Sequence, residues 1–552
     1  MRILPINTAP YKKATSQKTI SNIPPAFEGR FINGMKKPRH IKPYLAMRAW
    51  INYHPKIKDF GDYKIPVHNE EISRRLRTKY SLKDFTDLFN FTDKKGTFDY
   101  IMDDKTGFIK TSFINRKENP LMSDLIWITD TCNNIELVKH KNPNDCTKIL
   151  NKLTDFYEAE KTEFDKMISE PEKYKNNPFW PNGQVGIGHC FVPQTNKPHH
   201  WFAKTRLESV GNYLQLASDQ ITAGFEGKNY GYKSAQEVPD KVIDAITNCV
   251  KYLKAIHYPT ARSCGAWEEQ TFVNSLTSDT AIVNQGMRDI LKLVYSQTSN
   301  ENLLNIRKRL LNSKHGDIFK DKAGLKTLLK QGEYRIVESP FIETSKGNFN
   351  KKVETWEEKC LARDFDSAMN FMPQTETLSE NIVIDTTQKL HFLKRLAKAL
   401  VRPNGAIRYK GDEYLNLDYH TLKNPWTDNK KVNEAEWFLV SEIASAYGII
   451  AKNLINHIKQ EGTSPKTERL LELAIKGETE FINRSYARIT PKNMTKSNGY
   501  YCAEYKVPEA YEAVSTKYGV KYVPGAHLLT WAESSLMKAS RIFIENLQSL
   551  EK

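Results

Sequence analysis

The sequence lacks the cysteine pattern of a disulfide-bonded or zinc-binding protein. It contains 7 cysteines, an odd number, and no two of them stand at C-x-x-C spacing. Scattered thiols of this kind are typical of a reducing compartment rather than of a secreted disulfide framework. The pair His199-His200, with His189 upstream, has no further ligand at a recognisable spacing, so a loop explains it better than a metal site. The sequence therefore predicts no metal and no other cofactor.

Long hydrophobic runs are also missing. No segment approaches the roughly 20 apolar residues that a membrane-spanning helix needs. The stretch from Met1 to Lys13 has no continuous apolar core of the kind that a signal peptide carries. We therefore expect a cytoplasmic protein without membrane contact.

Motifs for nucleic-acid recognition are absent from a chain that is nevertheless basic. It carries 82 Lys+Arg against 65 Asp+Glu, a formal net charge of +17, and a balance of this size fits a polyanionic partner. The basic residues are spread among acids along the chain, without an arginine-rich stripe, zinc-finger spacing or ribonucleoprotein motif. A lysine-rich soluble surface explains the charge better than nucleic-acid binding, which stays a third hypothesis.

Strand signals are few and short, and most of the chain shows the apolar spacing of helices. Residues 1–40 are rich in Pro, Lys, Ser, Asn and Thr, which predicts a flexible basic arm. No linker divides residues 41–552, so we expect a single domain there. Helical spacing recurs in ten segments: Asn69–Phe91, Thr147–Ile168, Leu207–Phe225, Val238–Ile256, Thr280–Ser296, Asn302–Leu311, Gln388–Val401, Glu434–Ile458, Glu468–Asn483 and His527–Leu547.

The connections between these helices are long and heavy in Gly, Pro, Trp and charged residues, as at 176–206, 257–279 and 402–433. Structureless loops of such length are uncommon inside a compact domain unless they are functional. Their regular recurrence predicts a helical scaffold that carries its active groups on loops.

One of these loops contains S-C-G-A-W-E-E-Q, from Ser263 to Gln270. A carboxyl group buried against an indole ring has a raised pKa and can donate a proton, whereas the alternative is a carboxylate at a helix N-terminus. Trp-Glu-Glu by itself is a weak signal, because residues 356–358 repeat it in a charged stretch without the preceding small residues. Cys264 has no accompanying nucleophile motif, and we interpret it as a wall residue.

Five further loops place Trp or Tyr beside acids and bases: L-I-W-I-T-D (125–130), H-H-W-F-A-K-T-R-L-E (199–208), G-A-I-R-Y-K-G-D-E-Y (405–414), C-A-E-Y-K-V-P (502–508) and H-L-L-T-W-A-E (527–533). In this order they resemble glycoside hydrolase family 15, the glucoamylases of the six-hairpin glycosidase superfamily, and the related domain of the phosphorylase kinase alpha and beta subunits. The resemblance runs from about Gly107 to Leu547. It implies an all-α fold, an (α/α)6 toroid of paired helices whose loops form a sugar pocket at one end.

The resemblance also implies the catalytic residues. Glu268 would be the general acid, and Glu269 and Arg408 would bind the next sugar, with Arg408 balancing the charge of Glu269. The family segment A-E-x-Y nominates Glu504 as the base, and the alternative for Glu504 is a loop carboxylate paired with Lys506. Inverting glycosidases need one protonated and one ionised carboxyl group about 6.5 to 9.5 Å apart, and a closed scaffold can bring such distant residues together.

The remaining predicted substrate-binding residues are Trp127, Asp130, Trp201, Glu208, Trp267 and Trp531, whereas Trp437 is interpreted as packing. Our first hypothesis is an inverting α-glucosidase that acts on the ends of α-glucans or oligosaccharides. Two substitutions motivate a second hypothesis: Thr129 stands where the family has an arginine, and Glu208 where it has an aspartate. Under that hypothesis the protein is a catalytically weakened regulatory module that binds glucan or a protein partner in glycogen metabolism.

Overall fold

A computed structural model describes residues 55–111, 125–172, 187–199, 206–261, 263, 265–267, 276–338, 365–375, 381–412, 434–492, 494, 496, 502–516, 519–525 and 528–551. The α-helices of these residues are α1 Glu70–Ser73, α2 Leu82–Lys94, α3 Ile128–Lys141, α4 Cys146–Ala159, α5 Lys161–Ser169, α6 Leu207–Phe225, α7 Asp240–Ala255, α8 Thr277–Tyr295, α9 Glu301–Asn312, α10 Lys322–Glu338, α11 Ile382–Leu400, α12 Val440–Glu461, α13 Pro465–Ala487 and α14 Thr530–Glu551. Shorter 3-10 segments lie at Pro143–Asp145, Ala235–Glu237, Gly316–Lys320 and Ser367–Gln374.

Six segments close a ring at the centre of the molecule. They are α3, α6, α8, the 3-10 segment Ser367–Gln374, α12 and α14, each packed against the next, with α14 returning to α3. In the sequence each inner segment follows an outer helix, namely α2, α4, α7, α10, α11 and α13 in that order. Six such hairpins in a closed ring are an (α/α)6 toroid, which confirms the predicted fold class.

Local sequence explains several of the helix starts. Ser81 accepts a hydrogen bond from the backbone N–H of Asp84, and the Asp84 carboxylate accepts one from the N–H of Ser81, so a capping box opens α2. Ser464 caps α13 in the same way, with Pro465 at the first helical position, where its missing N–H costs nothing. Asn381 caps α11 by accepting from two backbone N–H groups of its first turn.

The core lies between the inner and outer helices. Phe85 of α2 packs edge to face against Phe543 of α14, with ring centroids 4.7 Å apart. Tyr157 of α4 lies 4.3 Å from Tyr213 of α6, measured between ring centroids, and both side chains are buried. Burial of such large rings on the inward face of each helix is the main stabilising contribution that the hairpins share.

The strands form small antiparallel sheets beside the ring, and they are β1 Lys56–Asp59, β2 Lys64–Val67, β3 Ile126–Trp127, β4 Cys190–Val192, β5 Lys197–Pro198, β6 Val401–Arg402, β7 Gly405–Ala406, β8 Glu436–Trp437, β9 Ala510–Thr516 and β10 Gly519–Pro524. The largest sheet has the order β10-β9-β8-β7-β6, and Trp437 stands opposite both Ala406 and Ala510. This register brings the residues that follow β7 and those that precede β9 to the two sides of Trp437.

Several boundaries differ from those predicted. The segment Asn69–Phe91 is two helices rather than one, because the capping box at Ser81 starts a new helix. The L-I-W-I-T-D stretch is a strand followed by the first turn of α3, and not a loop. Helix α10 and the β9–β10 hairpin were not predicted. The predicted arm, residues 1–40, lies outside the described residues.

Within the described ranges, no helix combines the length and the hydropathy that crossing a membrane would require.

Candidate active site

The starts of α3, α6 and α8 are joined by hydrogen bonds. The hydroxyl groups of Thr129 in α3 and Ser209 in α6 lie 3.0 Å apart. The backbone N–H of Leu207 donates to Ser263 Oγ over 3.2 Å, and the Ser263 hydroxyl in turn donates to the Asp279 carboxyl in the first turn of α8. The N-terminal ends of these three inner helices therefore lie together.

The other three inner segments begin at the same end. Trp267, four residues after Ser263, donates from Nε1 to Oδ1 of Asp366 over 2.7 Å, and Asp366 is the N-cap of the segment Ser367–Gln374. Trp531, in the first turn of α14, packs edge to face against Phe438, just before α12, with ring centroids 5.3 Å apart. One end of the ring thus gathers the positive ends of the helix dipoles, which stabilise negative charge.

Four of these inner helices are not capped by their own N-cap side chain. The N-cap residues of α3, α6, α8 and α12 are Trp127, Arg206, Leu276 and Leu439, and none of these side chains accepts a hydrogen bond from its helix. Outer helices α2, α11 and α13 have side-chain caps, whereas outer helices α4 and α7 do not. The N–H groups in the first turns of these four inner helices therefore have no capping oxygen from their own N-cap residue.

A buried arginine contacts two neighbouring indole rings at this end. The guanidinium carbon of Arg408 is 5.2 Å from the ring centroid of Trp267 and 4.9 Å from that of Trp437, and the two ring centroids are 6.3 Å apart. Arg408 Nε and Nη2 each donate a hydrogen bond of 2.6 Å to the Asp412 carboxylate. This two-point pairing fixes the plane of the guanidinium, and the cation and rings form one rigid wall.

Glu509 carries a carboxyl group whose charge interacts with that of Arg408. It lies directly before β9, and its backbone oxygen accepts a hydrogen bond of 3.0 Å from the N–H of Phe438. The pKa of Glu509 is raised to about 8, mainly by burial and also by the Asp130 carboxylate; the Arg408 guanidinium opposes the increase, and Glu512 adds a smaller upward effect. Asp130, Arg408 and Glu509 are therefore close enough for each charge to act on the next.

This arrangement can move a proton. Glu509 is partly exposed, and a partly buried carboxyl group beside another carboxylate keeps its proton near neutral pH, whereas an adjacent guanidinium favours its ionised form. Asp130 is partly exposed in the first turn of α3, where the helix dipole favours its ionised form. Acid–base chemistry on a sugar needs two acids in different environments. Here two such acids lie near one cation and two flat rings.

Glu504, the base predicted from the sequence, lies on a turn with other contacts. Its neighbour Tyr505 has a left-handed φ of 59° and donates from its hydroxyl to Glu71 over 2.8 Å. Lys506 donates to the backbone oxygen of Gly96 over 2.7 Å. Glu504 itself is partly exposed, and the carboxyl group beside Asp130 and Arg408 is that of Glu509 instead.

Glu208 belongs to a buried ionic cluster beside the start of α3. Arg206 Nε donates to Glu208 Oε1 over 2.6 Å, with Nη2 as a second contact, and the Thr129 hydroxyl lies 3.4 Å from the same oxygen. Burial raises the pKa of Asp279 well above its usual value, and the Glu208 carboxylate adds to the increase. Glu208 thus has a cation and a hydroxyl as partners inside the protein, and its exposed fraction is 1%.

The predicted tryptophans Trp127 and Trp531 are both buried. Trp127 lies in β3 with its ring centroid 5.7 Å from that of His189, whose backbone oxygen accepts from the N–H following Trp127. Trp531 stacks on Phe371 at 6.3 Å, and its indole Nε1 has no hydrogen-bond partner among the described residues. Trp127 supports the strand that leads into Asp130, and Trp531 supports the start of α14.

Of the predicted site residues, the structure places Asp130, Trp267 and Arg408 at the same end of the ring. Trp201, Glu268 and Glu269 lie outside the described residues, so their roles stay predictions. The sequence analysis did not select Asp366, Asp412 and Glu509, and it interpreted Trp437 as packing. A signal for Glu509 was available but not used: apolar Val507 and Pro508 precede it, and residues 510–516 after it contain the strand-forming residues Tyr, Val and Thr.

No family model and no curated protein matches the chain. Solved structures similar to it include a wild-type glycosidase, with 10% sequence identity and a TM-score of 0.48 over 85% of this chain and 98% of that chain. A glycosidase in complex with glucose, a single-residue variant, has 11% identity and a TM-score of 0.46 over the same shares. The glucoamylase from Saccharomycopsis fibuligera has 13% identity and a TM-score of 0.48, over 85% of this chain and 99% of that chain.

Proposed function

We propose that the protein is an inverting α-glucosidase of glucoamylase type, which releases glucose from the ends of α-glucans or oligosaccharides. The observation that carries this proposal is the carboxyl group of Glu509, with its pKa raised to about 8, beside Asp130 and Arg408. Trp267, the residue directly before Glu268, lies against the same Arg408 guanidinium. The position of Trp267 therefore supports Glu268 as the second acid of the site.

The two catalytic roles are assigned to Glu268 and Glu509. Glu268 is the general acid that protonates the leaving oxygen, as the motif around Trp267 implies. Glu509, in place of Glu504, is the base that takes a proton from the attacking water. Its raised pKa of about 8 keeps it protonated at neutral pH, so it acts as a base in the ionised form that the Arg408 guanidinium favours and that prevails above this pH. Glu504 and Glu509 are five residues apart in the segment that the sequence analysis nominated for the base. The assignment therefore keeps this segment and replaces Glu504 by Glu509 as the base.

The substrate-binding roles follow from the same geometry. The indole rings of Trp267 and Trp437 offer flat apolar faces for a sugar ring, and Arg408 beside both rings offers donors for hydroxyl groups. Asp130 accepts hydrogen bonds from a terminal sugar. A neutral glucan chain fits a site that combines flat rings with several polar groups.

The second candidate function is glucan binding without turnover, and the cluster at Arg206 favours it. Thr129 and Glu208 contact each other, and Arg206 pairs with Glu208 inside the protein, so their polar groups are already used. If the innermost sugar needs a cation at position 129, the protein binds glucan ends weakly and turns them over slowly. Retention on immobilised glucan without release of glucose supports this second candidate.

A matched pair of variants tests the assignment of the base. We expect Glu509→Gln to lower kcat for maltotriose by about 10² to 10⁴-fold, the usual contribution of a general base. Glu504→Gln is the control and should keep wild-type kcat, because Glu504 lies on the turn held by Tyr505 and Lys506. Loss of activity in Glu504→Gln, with Glu509→Gln fully active, contradicts the assignment.

A further inference from the structure

Arg488 is a fully buried cation at the end of α13. Its exposed fraction is 1%, and burial lowers the pKa of its guanidinium to about 10. Taking a guanidinium out of water is costly unless its donors are used. The position of Arg488 therefore needs an explanation beyond packing, and its hydrogen-bond acceptors supply one.

The acceptors are backbone oxygens of three separate segments. Nη1 donates to the carbonyl oxygens of Asn404 and of Glu436, the latter over 3.1 Å, and Nη2 donates to the carbonyl of Pro508 over 3.0 Å. Each of these residues stands shortly before a residue of the candidate site. Asn404 leads through β7 to Arg408, and the other two carbonyls directly precede Trp437 and Glu509.

The surroundings of Arg488 are built to hold it in this position. Its own carbonyl oxygen accepts a hydrogen bond of 2.7 Å from the hydroxyl of Tyr511, and its guanidinium carbon lies 5.0 Å from the ring centroid of that tyrosine. Gly405 leaves room for the side chain: a Cβ at this position would collide with Nη1 of Arg488 and with the carbonyl of Trp437. The Glu436 carboxyl accepts from the N–H and the side-chain amide of Asn404, over 2.5 and 2.9 Å, and closes the cluster.

We propose that Arg488 is the positioning residue of the site and sets the placement of Arg408, Trp437 and Glu509 relative to one another. The three segments arrive from different parts of the chain and meet in one sheet as β7, β8 and the start of β9. The planar guanidinium of Arg488 donates to one carbonyl of each segment. These bonds hold the three segments in register more tightly than the short strands do. This role rests on the proposed function, because it assigns Glu509 to the reaction.

The test compares Arg488→Lys with Asn483→Ala. Lysine keeps the positive charge but cannot reach three acceptors in one plane. Asn483 is the matched control, since it is buried in the same helix and joins Tyr63, Arg77 and Tyr80, none of which belongs to the site. Both variants should lose stability, so thermal unfolding alone does not separate a structural role from a positioning role.

Two measurements separate a structural role of Arg488 from a positioning role. In Arg488→Lys we expect kcat per folded protein on maltotriose to fall about 100-fold, the effect of a small misplacement of a catalytic group, with KM little changed. In Asn483→Ala we expect kcat to stay at its wild-type value. Unchanged kcat in folded Arg488→Lys, with wild type active, overturns the positioning role while leaving the proposed function intact.

The second readout does not depend on turnover. The pKa of Glu509 is measured by carbon NMR of protein labelled at glutamate Cδ, and its signal is identified by its loss in Glu509→Gln. We expect Arg488→Lys to bring this pKa from about 8 down toward the ordinary value of glutamate, as the segment leaves its place in the protein. An unchanged pKa overturns the proposal even if wild type hydrolyses no glucan. Should Arg488→Lys not fold, Tyr511→Phe removes the hydroxyl that holds the backbone of Arg488 while keeping Arg488 itself, and the same two outcomes apply.

Discussion

The indole N–H of Trp267 donates a hydrogen bond of 2.7 Å to the carboxylate of Asp366. This bond joins the residue directly before Glu268 to the fourth inner segment of the ring, whose N-cap is Asp366. The Asp366 carboxylate also accepts from the backbone N–H of Ala368. The indole ring that precedes the proposed acid is therefore fixed in two ways, by Arg408 on its face and by Asp366 at its edge.

Removing this bond should misplace Glu268. We expect Trp267→Phe, which keeps an aromatic face and loses the donor, to lower kcat by about tenfold, because a hydrogen bond to a charged group contributes about 1.5–3 kcal/mol. The control is Trp356→Phe in the second Trp-Glu-Glu copy, which should keep the wild-type kcat. Equal kcat values for the two variants would show that the bond to Asp366 has no part in the reaction.

The pH dependence of kcat/KM reports the ionisation of Glu509 in the free protein. A base must be ionised, and the pKa of Glu509 is raised to about 8 by burial first and by Asp130 next. We therefore expect kcat/KM to rise with pH to a midpoint near 8. In Asp130→Asn this midpoint should move to lower pH, because one of the charges that raise the pKa is gone. A profile that falls as the pH rises through 8 would assign Glu509 to the acid role instead.

Buried acids away from the site should make stability depend on pH. Burial raises the pKa of Glu478 in α13 to about 8, and Asn546 of α14 donates to both of its oxygens, over 3.1 and 3.0 Å. Between the ordinary value of 4.5 and 8, the folded state holds a proton that the unfolded state has lost, so stability falls as the pH rises. We expect the melting temperature to decrease over this range and Glu478→Gln to reduce the slope. An unaltered slope in Glu478→Gln contradicts this account.

Apolar spacing predicted many of the helices, with acid-rich aromatic stretches between them. The closed ring, and the loops at one end of it as the site, were implied by the family resemblance. The sequence analysis did not select Glu509 because the choice between two partly exposed acids five residues apart depends on the charges near each one, and it is Glu509 that has Asp130 and Arg408 nearby in the folded chain. Asp366 was missed for a related reason. Its partner Trp267 is 99 residues away in the sequence, so nothing local indicates the bond.

The pairing of Arg408 with Asp412, four residues later in the same motif, was not predicted from the sequence. The predicted balance between Arg408 and Glu269 stays a prediction, because Glu269 lies outside the described residues. Trp437 was interpreted as packing because tryptophan is usually buried. It is buried, with 4% of its surface exposed, and it lies against the Arg408 guanidinium. Packing and contact with a functional cation are compatible, and only the three-dimensional arrangement shows both.

The most direct test of the central proposal is the anomer of the sugar first released by the purified protein. Maltooligosaccharides, isomaltose and trehalose are supplied separately, and the product is followed by proton NMR before it mutarotates. An inverting α-glucosidase releases β-glucose from at least the maltooligosaccharides, and Glu268→Gln should abolish this release while the fold stays intact. Release of α-glucose, no release from any of the three substrates, or wild-type activity in Glu268→Gln would contradict the proposal.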